Sequence, residues 1–460
     1  MFTIAAGLTV ARLLPGRLRL WQPPRIAVSK LAVAPQVLGA ATGAAQAGPD
    51  VSAAGLTRAI DPVTGSGVFG PHLGVLVTAL TSGQVLYAAN AGDGFTPAST
   101  TKLATAVAAL AQLGPAARFR TTVVSGGTPS AIVLVGGGDP TLAAGKPPAS
   151  DYPQPATLLE LAKRTASVLR AHGRHAVRLG YDTSLYSGPG LAPGWTPGYV
   201  TTGNVSVITA LEVDQGRLTP SGAPEDADEA DPLPRSADPA AQAAAVFAGF
   251  LAADGISVRG SPEPALAPRG ATTIASVSSP PLAQEVQWML EESNNVIAEN
   301  LARHVAIATG RPASFSGAAA AVTSVLHSLG VTTGVQLYDG SGLSVDDLIT
   351  PHALVQLIGL AAVHTRLRAV LTGLPVANFT GTLVRGGSVF GPGGPAARGV
   401  VRAKTGNLGT VAALAGIAYA RNGQLLAFAV MADKIKPGSL VAAAAGMADL
   451  ATVLAGCGCR

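Results

Sequence analysis

Cysteine is nearly absent from this 460-residue chain: there are two, Cys457 and Cys459, both within the last four residues. Such a pair cannot staple a fold of this length, so stability has to come from an apolar core. Their spacing is poor for an unstrained bridge, and a local disulfide, idle thiols and a bond to a partner all stay open. Metal-binding patterns are missing as well. No C-x-x-C and no H-E-x-x-H occurs, which removes the donor sets of zinc ribbons and zinc peptidases. His172 and His175 read as a solvated pair at a helix end. Charge is scarce: Asp, Glu, Lys and Arg make up 12% and the net charge is +5. That is too little for a nucleic-acid-coating protein or a wholly disordered chain, so no nucleic-acid partner is expected. Aromatics are only 4% against 48% apolar residues, which points to a core of small aliphatic side chains. There are no internal repeats, and no apolar run approaches the roughly 20 residues of a spanning helix.

What is present begins with a basic leader, carrying Arg12, Arg17, Arg19, Arg25 and Lys30. A short apolar stretch at 31–44, interrupted by Pro35, and Ala45-Gln46-Ala47 follow in the order of an export signal. Segment 1–50 is therefore expected to be a poorly ordered leader. Two strand-like runs within 72–89 flank Ser82-Gly83 and predict a hairpin. Thr96-Pro97-Ala98-Ser99 then opens a helix that stops at Gly114-Pro115. Segment 118–270 differs in texture, with strands at 121–124 and 131–135. A helix there starts at the capping pair Thr157 and Glu160 and carries Leu158, Leu161, Thr165, Val168 and Leu169 on one face. The acidic stretch 225–231 reads as a solvated loop, and a second helix as 239–253. Helices are predicted at 282–292, 296–309, 318–329, 351–363 and 365–371. Strands return at 400–405, 411–420 and 425–432, the last two joined by Asn422-Gly423, before a final helix at 439–454.

This order predicts an α+β fold. Strands from both ends of the chain form one antiparallel sheet flanked by helices. An all-helical subdomain carries the middle of the chain, and a large domain is inserted. The expected divisions are 51–117 and 271–460 for the two parts of the main domain and 118–270 for the insertion.

Three short motifs carry chemistry. Ser99 and Lys102 lie one helical turn apart and face one cleft. A serine hydroxyl is a weak nucleophile until a base takes its proton, and lysine is a base only when burial or a second cation depresses its pKa. Lys404 is the candidate second cation. Ser293, at a junction between two helices, is placed to relay a proton, and Asn295 to hold Lys102 and a substrate amide. Lys404 and Thr405, on a strand, can bind a terminal carboxylate. Gly406 permits close backbone approach. Backbone N–H groups of Ser99 and Asn407 are the expected oxyanion donors. The reaction predicted is acyl transfer through Ser99.

In this order and setting the motifs resemble those of penicillin-recognising serine enzymes. Their spacing resembles the D-alanyl-D-alanine carboxypeptidase/endopeptidases of the low-molecular-mass class C penicillin-binding proteins, since Ser293 lies much further from Ser99 than in a class A β-lactamase. Further matches are Gly138-Asp139-Pro140-Thr141-Leu142, Asp182-Thr183-Ser184, Ala192-Pro193-Gly194-Trp195, Ala298-Glu299, Asp339-Gly340-Ser341-Gly342-Leu343-Ser344 and Gly381-Thr382-Leu383. The resemblance spans about residues 55–455. It implies a penicillin-binding/serine β-lactamase-like fold and an exported enzyme of the periplasm or cell wall, with membrane association as a further expectation. It also implies removal of the terminal D-Ala of peptidoglycan stem peptides, cleavage of D-Ala–diaminopimelate cross-links as a second activity, acylation of Ser99 by β-lactams, and no cofactor or metal. The insertion is a candidate docking surface for a cell-wall protein.

Two positions depart from the family pattern. Asn407 follows K-T-G in place of the usual threonine. Val345 follows G-S-G-L-S, where the family often has an arginine that binds the far end of the diaminopimelate side chain. The resemblance makes Asp182 the acidic partner of the side-chain amine. An acid without the arginine implies a side chain whose distal carboxylate is masked, for example by amidation. The rival functions are a catalytically slow or inactive wall-binding scaffold of the same fold and a β-lactamase. No Glu-x-x-x-Asn segment between the last two motifs supplies the latter's deacylating base.

Overall fold

The computed structural model describes residues 50–218, 233–384 and 394–459. The leader and the acidic 225–231 stretch lie outside these residues. A five-stranded antiparallel sheet runs in the order Val401–Leu408, Val411–Tyr419, Leu425–Ala432, Leu73–Ala79, Val85–Ala89. The first hairpin thus docks beside the last one, with Leu73 opposite Ala432 and Ala79 opposite Leu426. Val401–Leu408 forms one edge and pairs along its length with Val411–Tyr419.

Strand Leu425–Ala432 is buried throughout because both faces of the sheet are covered. Its side chains alternate between two cores. Ala427, Ala429 and Met431 enter the core built with the helices of the middle of the chain. Leu426, Phe428, Val430 and Ala432 enter the core under helices Ala53–Thr64 and Leu440–Gly456. At the centre of the first core runs helix Thr101–Leu113, buried from Thr101 to Ala111, which is why its sequence is apolar all round. Helices Leu282–Glu291, Asn295–Ala308, Phe315–Ser328 and Pro351–Val363 pack around it.

The inserted region builds a second, mixed sheet in the order Ser257–Val258, Ala176–Asp182, Ala131–Val135, Arg120–Ser125, Thr273–Ser278, with Glu263–Pro264 also paired to Ala176–Asp182. Helices Leu158–Ala171 and Pro239–Ala253 cover it and share its own core. Thr157 caps the first of these by accepting from the Glu160 N–H at 3.0 Å, while the Glu160 carboxylate pairs with Arg164. Thr273–Ser278 pairs with Arg120–Ser125, so this sheet extends beyond residue 270.

Local differences from the sequence reading are instructive. Helix Ala53–Thr64 was not predicted, because Gly55 and Pro62 weaken its signal; the Ser52 cap and the buried pair Leu56 and Ile60 hold it. Val168 is 37% exposed and stands outside the apolar face assigned to it. Cys457 and Cys459 form a disulfide. Among the described residues no group of side chains fits a metal ion, and no helix is long and apolar enough to cross a membrane.

Candidate active site

Ser99 sits in a single 3-10 turn, Ala98–Thr100, that leads directly into helix Thr101–Leu113. Its backbone N–H therefore belongs to the positive end of that helix. Ala98 has φ 46°, a left-handed conformation unusual for a residue with a Cβ, and Ser293 has φ 60°. Such strain costs about 1–3 kcal/mol per residue and collects at functional sites. Both strained residues here adjoin the candidate chemistry.

Lys102, one turn after Ser99, is fully buried. Its amine donates to Ser99 Oγ at 2.9 Å, to Asn295 Oδ1 at 2.6 Å and to the Ser341 carbonyl at 2.8 Å. Three acceptors use all three ammonium donors. Burial brings the Lys102 amine down to about 7, against the opposing charges of Asp339 and Glu299. Lys404, equally buried, donates to Ser293 Oγ at 2.9 Å and to the Thr405 carbonyl at 2.8 Å. Burial first, and the charge of Lys102 second, push its amine well below the usual lysine range, while Glu292 opposes. From sequence, burial and a second cation such as Lys404 are both open as the cause of a depressed Lys102. In the structure burial depresses Lys102, and Lys102 depresses Lys404.

The site therefore has two hydrogen-bonded halves, Ser99–Lys102–Asn295 and Ser293–Lys404, joined by the short 293–295 segment. Ser293 is tied to Lys404 rather than to Lys102. Asn294 caps helix Asn295–Ala308 by accepting from the Ile297 N–H, and this orients Asn295 at the helix start.

The edge strand Val401–Leu408 lies against the nucleophile turn. A Cβ on Gly406 would come within 2.7 Å of the Pro97 carbonyl and 3.2 Å of the Ser99 nitrogen. The close approach that needs this glycine is thus made by the chain's own nucleophile turn. Thr405 Oγ1 lies 2.8 Å from Thr382 Oγ1, and Asn407 is exposed at the strand end.

Some residues at the site carried no functional signal in the sequence. Asn204 and Gln215, from the inserted region, bond to the amide groups of Asn295 and Asn294 through a carbonyl and a side chain at 2.8 and 2.9 Å. Thr382 had been noted only as a family match. Nothing in the local sequence around Asn204 or Gln215 marks them, because their role comes from long-range docking.

Asp182 departs from its expectation. It is 6% exposed, and its oxygens accept from the Ser184 N–H at 2.8 Å and the Ala267 N–H at 2.7 Å. Burial raises its pKa, but these bonds outweigh it and hold the carboxyl below the usual range. The carboxylate closes a strand end in the inserted sheet, with a backbone N–H already bonded to each oxygen. Val345 is 54% exposed, and its carbonyl accepts from Thr96 Oγ1 at 3.2 Å, which places it beside the segment leading to Ser99.

The family model for the D-Ala-D-Ala carboxypeptidase 3 (S13) family matches residues 56–232 and 218–454. The chain is 39% identical over 398 residues to the carboxypeptidase DacB of Mycolicibacterium smegmatis, covering 85% of this chain and 82% of that protein. It is 38% identical over 445 residues to a carboxypeptidase of Mycobacterium tuberculosis, covering 95% and 90%. The crystal structure of penicillin binding protein 4 from Haemophilus influenzae has the same fold, with a TM-score of 0.66 at 23% identity over 86% of this chain and 98% of that one. The same relative has also been solved in complex with a β-lactam.

Proposed function

The chain belongs to the D-Ala-D-Ala carboxypeptidase 3 (S13) family, and from that premise we propose which of its residues carry out the serine DD-peptidase reaction. Ser99 Oγ attacks the carbonyl of the D-Ala–D-Ala bond as Lys102 takes its proton. The oxyanion lies between the N–H groups of Ser99 and Asn407. Ser293 delivers its proton to the departing D-Ala amine and takes one from the Lys404 ammonium bonded to it. Water then attacks the acyl-Ser99 ester, passes its proton back to Lys404 through Ser293, and Lys102 returns the proton it took to Ser99 Oγ as the shortened peptide leaves.

The terminal carboxylate is received by Lys404 and by the Thr405 hydroxyl, which Thr382 orients. An arriving carboxylate favours the ammonium form of Lys404. That charge in turn favours loss of the proton from Lys102, so substrate binding readies the base. The observation that carries the reading is the 2.9 Å bond from Lys102 to Ser99 within a buried amine pair. The same complete nucleophile set argues against an inactive scaffold.

The enzyme acts on cell-wall peptidoglycan and is inhibited by β-lactams. The basic leader, its apolar stretch and Ala45-Gln46-Ala47 support export to the periplasm or wall. With Asp182 committed to backbone, a masked distal carboxylate on the diaminopimelate side chain rests on Val345 alone. The inserted sheet, with a core of its own, is a docking surface for a wall protein in this reading.

The test is mass spectrometry of products from purified muropeptides, free-acid and amidated. The parent is expected to release one D-Ala per pentapeptide stem, faster from the amidated form, and Ser99→Ala to release none. Equal release by both proteins would refute the assignment of Ser99. A clear preference for the free acid would refute the masked carboxylate.

A pH dependence follows from the depressed amine. Acylation needs neutral Lys102, so the second-order rate with a penicillin should rise about tenfold per pH unit below about pH 7 and level off above it. A flat profile across that range, measured with a fluorescent penicillin, would contradict Lys102 as base.

A further inference from the structure

The carbonyl that holds Lys102 belongs to a loop clamped by buried carboxylates. Glu299, fully buried on helix Asn295–Ala308, lies one turn after Asn295 on the same face. Its Oε1 accepts from the Ser341 N–H at 2.8 Å, and the Gly340 N–H points between its two oxygens at 3.1 and 3.0 Å. Thr105 Oγ1, one turn beyond Lys102, donates to the Gly340 carbonyl at 2.6 Å. The Ser341 carbonyl is what remains, and it faces the Lys102 amine at 2.8 Å. Asp339 finishes the loop: its oxygens accept from the Gly342 and Ser344 N–H groups, each at 2.7 Å, and from Trp195 Nε1 at 2.8 Å. No carboxylate is hydrogen-bonded to Lys102 itself among the described contacts.

We propose that Glu299 is a positioning residue of the DD-peptidase reaction: by clamping the Gly340 and Ser341 amides it aims the Ser341 carbonyl at Lys102 and so holds the base against Ser99. The proposal rests on Ser99 and Lys102 being nucleophile and base. One helix then governs two of the three acceptors of the amine, Asn295 directly and Ser341 through Glu299. Glutamine keeps one accepting oxygen but sets its NH2 group against the Gly340 N–H, where the second oxygen now accepts at 3.0 Å, and so weakens the clamp.

Glu299 lies among other charged groups. The charged groups facing it are Lys102 from helix Thr101–Leu113, Asp339 from the loop, Asp347 beyond it and Arg303 from its own helix. Lys404 faces Lys102 from the edge strand. Burial raises Glu299 to about 8, so along the acidic limb it is largely protonated and reaches Lys102 through the loop it holds rather than through its charge.

The test uses the full chain with a fluorescent penicillin, reading the acylation rate constant, the labelled fraction at completion and the acidic limb of the pH profile. Glu299→Gln is expected to lower the rate constant about tenfold or more at unchanged labelled fraction, and to move the limb down by about half a pH unit or more, because a displaced Ser341 carbonyl no longer favours the ammonium form of Lys102. Glu299→Asp shortens the reach to the Gly340 and Ser341 amides, so its limb should move the same way and its rate fall about tenfold. If Glu299→Gln does not fold, the rate of Glu299→Asp decides. A rate within about threefold of the parent in either folded variant, or an unmoved limb in Glu299→Gln, would overturn the proposal. Loss of folding in both would assign Glu299 to structure alone and overturn it too. Continued labelling of Ser99→Ala would instead remove the underlying reading, and is seen separately.

Discussion

Replacing Ser99 by alanine is expected to abolish covalent capture of penicillin and to cut D-Ala release by about 10⁴-fold or more, with thermal unfolding nearly unchanged. The substitution deletes one oxygen. That oxygen is the proposed attacking atom, bonded at 2.9 Å to the Lys102 amine. Ser99 is half-buried and contributes nothing to either apolar core, so the cost in stability should stay within about 0.5 kcal/mol. Lys102 keeps Asn295 and the Ser341 carbonyl as acceptors and is not orphaned. Labelling on a gel, release of D-Ala from a short peptide and a melting curve together check the result. Retained labelling would move the nucleophile elsewhere.

Gly342→Ala should do the opposite: damage the fold first and the chemistry with it. Gly342 has φ +85°, a conformation that costs a residue with a Cβ about 1 kcal/mol or more. The added carbon would also lie 1.9 Å from the Ala98 carbonyl oxygen and 2.8 Å from Thr101 Oγ1. The first of these neighbours is backbone, so relief requires moving the turn that carries Ser99. Strain and overpacking together predict a loss of about 3 kcal/mol or more. The surviving folded fraction should acylate at least about tenfold more slowly, since the nucleophile turn is displaced. Chemical denaturation and the acylation rate measure the two effects. A variant with parental stability and rate would show that this contact is not as tight as drawn.

The two predictions draw on different kinds of legibility. Ser99 and Lys102 could be paired from sequence because an i, i+3 spacing at a helix start is a local fact, independent of what surrounds it. The Asn422-Gly423 hairpin, the helix ending at Gly114 and the Thr157 cap were legible for the same reason. Gly342 is visible in the sequence only as part of the Asp339–Ser344 family match. That its missing Cβ makes room for Ala98 depends on two segments far apart in the chain meeting.

Asp182 shows the limit of motif matching. Its sequence context fits a binding acid, yet the docking of Ala267 supplies a backbone N–H that claims its second oxygen. Which amine Ser293 bonds is not legible from its tripeptide; packing sets it against Lys404. Burial cannot be read from K-T-G, and burial is what depresses Lys102.

By itself, then, the order of residues determined the local pieces: which serine opens a helix, which lysine follows it one turn later, where the hairpins turn, and hence the family of chemistry. Only tertiary structure decided how the two amines divide their partners, that Glu299 and the 339–344 loop stand behind the base, and that the inserted region closes one wall through Asn204 and Gln215. Hydrogen-bond geometry within a turn is set by neighbours along the chain, whereas desolvation and long-range contact exist only once distant segments have packed together.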